Sequence, residues 1–331
     1  MLLNNDPAAG VRMRKTMTSP VRSWCFTVAC LVFTWRHVST GAQETDFDVR
    51  DAEIGIRVGE IEVATFVHTH PEIPRPHFSA LRTSGGTLVT RNVPPRADAD
   101  KTDHAGIHSG LWLSFGDLNG NDPWRLKSRV RFDGLLEPPQ VDEHDARFVI
   151  AHRYEAADGK PLCREVSRFC VERLDDGVLI RWTAEYHPDP GELTFGDQEE
   201  MGLGLRVATP LTVEAGQGGR ILDASGRRNG DAVWGTSADW CDYAGPLDGR
   251  WSGVTLMTSP DNFRPSWHHA RDYGLLVLNP FGRHALTGGP VSQVSVKHRE
   301  SLVLKFGIFI HETATEPDCD LTAAFRRFAA P

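Results

Sequence analysis

Residues 178–186 read VLIRWTAEY and residues 302–310 read LVLKFGIFI. In the first, Val178, Ile180, Trp182, Ala184 and Tyr186 alternate with Leu179, Arg181, Thr183 and Glu185. In the second, Leu302, Leu304, Phe306, Ile308 and Ile310 alternate with Val303, Lys305, Gly307 and Phe309. A period of two sends successive side chains to opposite faces of an extended chain. Each segment therefore reads as a strand with one buried face.

The same signature recurs outward from these two. Strands are predicted at 53–58, 61–67, 77–82, 111–115, 128–137, 145–155, 164–173, 203–213, 250–258, 273–279 and 292–296. Turn residues punctuate them at 84–86, 158–159, 175–177 and 216–219. Asp175-Asp176-Gly177 between two strong strands predicts a hairpin. Helical spacing is confined to 320–329, where Asp320 can cap a short terminal helix. Many strands without intervening helices specify an all-β protein. The length suits a large two-sheet antiparallel β-sandwich with one short C-terminal helix. Residues 43–331 carry no linker and are expected to form a single β-sandwich domain.

The first 42 residues differ in kind. Arg12, Arg14, Lys15 and Arg22 precede an apolar run, WCFTVACLVFTW at 24–35, and small residues Thr40 and Ala42 follow it. This is the layout of a secretory signal peptide cleaved before Gln43. The run is too short to span a bilayer comfortably, and no later run approaches that length. A secreted or periplasmic protein with no integral membrane segment after cleavage is expected. Removing residues 1–42 would take five Lys/Arg and one Asp from the chain's 36 basic and 44 acidic residues, leaving a net charge of −12. Such a surface repels phosphate backbones, so nucleic acid is not an expected partner. Cys163, Cys170, Cys241 and Cys319 remain and form no CxxC pair, which argues against a thiolate zinc site. Free buried thiols are the favoured reading, with a disulfide as the alternative.

Polar residues that a plain strand does not need are concentrated in patches. Residues 103–124 read DHAGIHSGLWLSFGDLNGNDPW, with His104, His108, Asp117 and Asn119 around Trp112. Histidine near neutrality serves as acid, base or metal ligand. The competing account is a hydrogen-bonded loop corner. Glu199 and Glu200 precede a strand carrying Arg206; one carboxylate could face a site, with Arg206 holding it or a substrate oxygen. Residues 267–282 read WHHARDYGLLVLNPFG. Trp267 would stack on a sugar, one of His268 and His269 would add an acid–base or ligand group, and Arg271 would bind oxygens. Asn279 begins a turn. Trp234, Asp239, Trp240, Asp242 and Tyr243 suit a sugar-binding wall or, for most of them, the core. GxSxG, P-loop, HExxH and dinucleotide-loop patterns do not occur.

RPHFSALRTSGGTLVTR, DHAGIHSGLW, GDLNGNDPW, GLGLRVATPL, GRRNGDAVWG, ADWCDYAG and SPDNFRPSWHHARDYGLLVLNPFG occur in that order. Together they resemble the secreted bacterial family labelled "methane oxygenase PmoA". That resemblance implies a galactose-mutarotase-like supersandwich. It does not imply methane oxidation, because the chain lacks spanning helices and its expected first residue, Gln43, cannot form a histidine brace.

The expected function is carbohydrate-active: a hydrolase, lyase or epimerase working on a small-molecule or oligosaccharide substrate. His104 or His108, and Glu199 or Glu200, would exchange protons with the sugar. Arg206, His268 and Arg271 would assist, with Trp112, Asp117, Asn119, Asp239, Trp267, His269 and Asn279 at the substrate. One alternative is an enzyme holding a divalent transition metal on His104, His108 and His268 or His269. Another is a non-catalytic sugar-binding envelope protein.

Overall fold

The computed structural model of the chain describes residues 44–142, 146–316 and 319–330. The expected leader, 1–42, lies outside the described residues. Ala42–Pro331 is one compact unit.

The first strands are β1 (Thr45–Val49), β2 (Glu53–Val58), β3 (Ile61–Val67), β4 (His77–Leu81), β5 (Leu111–Phe115) and β6 (Arg129–Val141). There follow β7 (Ala146–Glu155), β8 (Pro161–Leu174), β9 (Gly177–Pro188), β10 (Leu193–Phe195), β11 (Met201–Arg206) and β12 (Arg220–Asp223). The last are β13 (Trp240–Leu247), β14 (Arg250–Thr258), β15 (Trp267–Arg271), β16 (Leu275–Asn279), β17 (Val294–Val296) and β18 (Leu302–Thr313). One eight-stranded antiparallel sheet has the order β1-β2-β3-β4-β5-β11-β16-β15, and a second has β12-β13-β14-β18-β9-β8-β7-β6. β10 and β17 form a small ribbon. The protein is therefore the large antiparallel two-sheet sandwich that the alternation predicts.

The register explains the alternation. Val178, Ile180, Trp182, Ala184 and Tyr186 of β9 and Leu304, Phe306, Ile308 and Ile310 of β18 all enter one hydrophobic core. From the facing sheet come Leu111, Leu113 and Phe115 of β5, Met201, Leu203 and Leu205 of β11, and Leu276 and Leu278 of β16. The 175–177 turn is a hairpin, with Leu174 paired to Gly177. Cys163 and Cys170 fall on opposite faces of β8, and Cys163 and Cys241 are buried in the core.

The three helices among the described residues are short: α1 (Asn229–Val233), α2 (Arg283–Thr287) and α3 (Leu321–Ala329). Asp320 caps α3 as expected, accepting a hydrogen bond from the Ala323 N–H at 2.8 Å. Leu321, Ala324 and Phe328 of α3 pack on Leu179, Met257 and Phe309, on the outer face of the second sheet. One strand is much shorter than the pattern suggests. The predicted 203–213 strand ends at Arg206, and Thr209–Leu211 is a 3₁₀ turn with Pro210 near its start. Proline lacks the N–H that a continuing ladder needs. No helix among the described residues is long and apolar enough to cross a membrane.

Candidate functional site

The outer face of the first sheet is where chemistry collects. β5, β11, β16 and β15 lie side by side, so register alone sets a row across them: Trp112, Gly204, Val277, His269. The next row includes Arg206 and Leu275, paired with Arg271 beyond. Trp112, Trp124, Leu275 and Val277 make a small buried cluster that floors this face, with Tyr273 against it. Gly204 is required here. A Cβ at that position would lie 2.8 Å from both the Trp112 and Trp124 rings.

A loop crosses the floor from above, and buried arginines hold it. Arg91 donates to the carbonyls of Lys101 at 2.9 Å, Asp103 at 2.6 Å and His108 at 2.9 Å, with His104 at 3.4 Å. Arg75 donates to the carbonyls of Ile107 at 2.8 Å and Trp124 at 2.7 Å, and to Ser109 Oγ at 2.9 Å. Arg206 grips Asp103 with two hydrogen bonds, 2.7 and 2.9 Å long. Burial raises the Asp103 carboxyl, but hydrogen bonds from Arg206 and His104 and the charges of Arg206 and Arg91 outweigh this. They hold it well below the usual carboxylate range. Asp103 is thus a fixed anion.

His108 is the centre of the arrangement. Its ring is buried, stacked 4.7 Å from His104 and 5.4 Å from Trp112. Arg206 Nη1 stands 3.4 Å from His108 Nδ1. A guanidinium can only donate, so Nδ1 accepts and the proton sits on Nε2. Nε2 has no hydrogen-bond partner and lies 4.0 Å from Glu200 Oε1. Burial, reinforced by Arg206, His104, Arg91 and Arg75, lowers the ring's pKa to about 2. His108 is therefore a neutral N–H donor, not a base.

Of the two glutamates, Glu200 turns inward and Glu199 faces out. Burial raises the Glu200 carboxyl, opposed by the charge of Arg125, with which it forms an ion pair. Glu199 lies 3.7 Å from Arg271, whose guanidinium stacks 3.7 Å over Trp234. Asp272 is not the partner of Arg271; it accepts from the Gly230 N–H at 2.7 Å. A cavity of about 480 Å³ opens beside Trp234 and Arg271.

His269 donates from Nδ1 to the Glu199 carbonyl at 3.1 Å, and Trp234 meets its ring edge-on at 4.6 Å. That bond leaves Nε2 with the lone pair. Burial lowers this ring's pKa to about 4. Tyr273 lies under the Arg206 guanidinium at 4.6 Å and stacks 6.2 Å from His104. Burial raises its hydroxyl, which remains a neutral donor.

The structure thus brings together His104, His108, Glu199, Glu200, Arg206, His269 and Arg271, and leaves other expected residues apart. His268 points into the sandwich, where Nδ1 is 4.0 Å from Asp223 Oδ2 across the core. Adjacent strand residues face opposite ways, so His269 occupies the site and His268 does not. That placement takes His268 out of the expected metal set and leaves His104, His108 and His269. Among the described residues, no group of three or more His, Cys, Asp or Glu side chains is arranged to hold a metal.

Trp112 is buried in the floor under His108 and Arg75, with no face open for a sugar. Asp117 and Asn119 shape a turn: Asp117 accepts from the Gly120 N–H, and Asn119 bonds to the backbone of Glu192 and Thr194. Asn279 spends its amide on the Gln198 and Glu199 carbonyls and on the N–H groups of Phe281 and Gly282. It is a clamp for the glutamate turn. Asp239 is exposed before β13, and Trp267 is half-buried at the start of β15. Arg75, Arg91, Arg125, Trp234 and Tyr273 are site-building residues that the sequence did not single out for these roles.

The chain is similar to several solved structures. A galactose mutarotase-like protein from Clostridium acetobutylicum superposes with a TM-score of 0.41 at 10% identity, covering 81% of this chain and 98% of that one. A galactose 1-epimerase from Lactobacillus acidophilus gives 0.37 at 10% identity, covering 82% and 99%. A heparan sulfate lyase from Pedobacter heparinus gives 0.37 at 8% identity, covering 83% of this chain and 36% of that one. No curated protein matches the sequence. The model of DUF6807, a family of unknown function, matches residues 53–323. This corrects the expected kinship: nothing in the comparisons points to the family labelled PmoA.

Proposed function

The chain belongs to DUF6807, a family of unknown function, and from that starting point we propose that it is an exported carbohydrate-active enzyme that moves protons on a sugar. The observation that carries the reading is the pairing of His108 and Glu200. An unpartnered, neutral Nε2–H stands 4.0 Å from a carboxyl whose proton affinity burial has raised. Groups tuned in opposite directions within one site are how proteins divide acid–base roles.

In this reading Glu200 carries the proton that is exchanged with substrate. His108 donates a hydrogen bond to the sugar oxygen on which negative charge develops, as a preorganised neutral donor. His269 Nε2, unprotonated above about pH 4, is the base. Tyr273 adds a second donor, and Trp234 with Arg271 forms a flanking wall. His104 caps the His108 ring and does not act as a partner in proton exchange. The Asp103 carboxylate is consumed by Arg206, so it cannot be the second carboxylate that glycoside hydrolysis ordinarily uses. Epimerisation or elimination is favoured over hydrolysis for that reason.

The test is ¹H NMR in D₂O of reducing sugars and oligouronates incubated with the protein. Anomeric or epimeric conversion, deuterium wash-in at a ring carbon, or an unsaturated product supports the reading. A protein that binds sugars without converting any of them is a sugar-binding envelope protein instead. One that neither binds nor converts them overturns the proposal.

A further inference from the structure

A cavity of about 840 Å³ lies between the segment 68–75 and the segment 126–132 at the start of β6. It is separate from the His108–Glu200 pair but shares a wall with it. Arg75 lines the cavity, and its guanidinium holds the Ile107 carbonyl and Ser109 Oγ on either side of His108.

We propose that this cleft binds the acidic group of an anionic oligosaccharide, a carboxylate or sulfate ester, through Arg129, Ser128 and His70. The volume falls in the range of small-molecule sites and leaves room for a short sugar chain. The lining is cationic: Arg75, Lys127, Arg129 and Arg131 stand against a single carboxylate, Glu72. Lys127 lies 3.3 Å from Asp122 and Arg131 2.6 Å from Glu155, so both are balanced. Arg129 is exposed and has no carboxylate partner among the described residues. On a chain of net charge −8, an unbalanced arginine in a cleft is a local attraction for anions.

Ser128 and His70 add two groups able to donate. Ser128 is buried, and its Oγ has no partner. His70 Nδ1 accepts from the N–H groups of Glu72 and Ile73, both at 3.1 Å. A neutral ring then carries its proton on Nε2. A buried hydroxyl without a partner is costly unless a ligand or water meets it. The cleft also has an aromatic side: Phe132 is 39% exposed, with the His68 ring 4.1 Å from it. An arginine fork, two donors and one aromatic face match an acid sugar better than a neutral one.

The inference rests on the proposed function in taking the ligand to be a sugar, but binding tests it without turnover. Titration calorimetry would compare tetragalacturonate, a sulfated galactotetraose and unsubstituted galactotetraose against the whole protein. At least one anionic probe is expected to bind tenfold or more tighter than the neutral one, and to weaken as salt rises. Whichever binds identifies the acid group. Arg129→Ala should weaken it at least tenfold, and Arg129→Lys should restore part of the loss. Arg326→Ala, which removes an exposed cation of α3 outside the cleft, should change it less than twofold. Equal binding of charged and neutral probes, no anionic binding, or an unaffected Arg129→Ala variant would each overturn the cleft assignment. Acid-sugar binding in a protein that converts no sugar would leave the cleft standing and remove the catalytic reading.

Discussion

Arg91 lies fully buried beneath His108 and donates to its carbonyl at 2.9 Å. The same guanidinium reaches back to Lys101, Asp103 and His104. One side chain therefore ties together four backbone carbonyls of the loop that presents His104 and His108.

Replacing Arg91 with alanine removes those donors and orphans the buried His108 carbonyl and three partly buried ones, each costing about 1–3 kcal/mol where water cannot reach. The expected result is destabilisation of roughly 3–5 kcal/mol by denaturant titration. Amide exchange should accelerate over 101–109, while the protein still folds. A loop whose exchange is unchanged in Arg91→Ala would mean that other contacts hold it.

Gly204→Ala tests the floor. The new methyl would meet the rings of Trp112 and Trp124 at 2.8 Å, and both are buried. Overpacking of this kind costs about 1–3 kcal/mol. A thermal midpoint equal to that of the parent would show that the two tryptophans can shift.

Tyr273→Phe keeps the ring over Arg206 and deletes only the hydroxyl. Stability should change by less than about 1 kcal/mol, in line with surface or solvated polar deletions. Turnover on any converted sugar should fall about tenfold or more as one donor is lost. A full loss of folding would place Tyr273 among the structural residues instead.

Acid should destabilise the protein over a defined window. His77 and His152 are lowered to about 3 by burial, His268 and His269 to about 4. Each folded value lies below the unfolded imidazole value near 6.5. Between the two, the unfolded chain binds protons that the folded protein does not. Stability is thus complete above about pH 6.5 and falls as pH drops toward 4 and then 3. His152 has no partner at either nitrogen and sits among Phe66 and Phe132. His152→Leu should flatten the decline measured by denaturant titration from pH 7 to pH 4. An unchanged slope would mean that His152 is not a source of it.

Much of the scaffold is visible in the sequence because alternation maps directly onto burial. β2, β3, β5 and β14 fall at their expected bounds, since each begins and ends beside turn residues or a change of pattern. β15 is masked by the chemical residues of WHHAR, and β1, β10, β12 and β13 also lie outside the predicted strands. The choice between His268 and His269 could be framed from parity but not decided, because either face of an edge strand could have been the outer one. Trp112 looked like a stacking surface within an aromatic, polar patch. Its burial comes from Trp124 and Gly204, contacts made by folding and carried by no local pattern. Arg75 and Arg91 leave no signal because an arginine in a connecting segment ordinarily reads as exposed. Their partners are mostly backbone carbonyls, 10 to 49 residues away, and carbonyls leave no signature in sequence.

The central claim is that Glu200 carries the proton that is exchanged with a sugar. Its most direct test is Glu200→Gln, nearly isosteric, measured for turnover on the best-converted sugar beside thermal stability. The account predicts a loss of about 10²–10⁴ in kcat with a folded protein. Full turnover in a folded Glu200→Gln variant would contradict it.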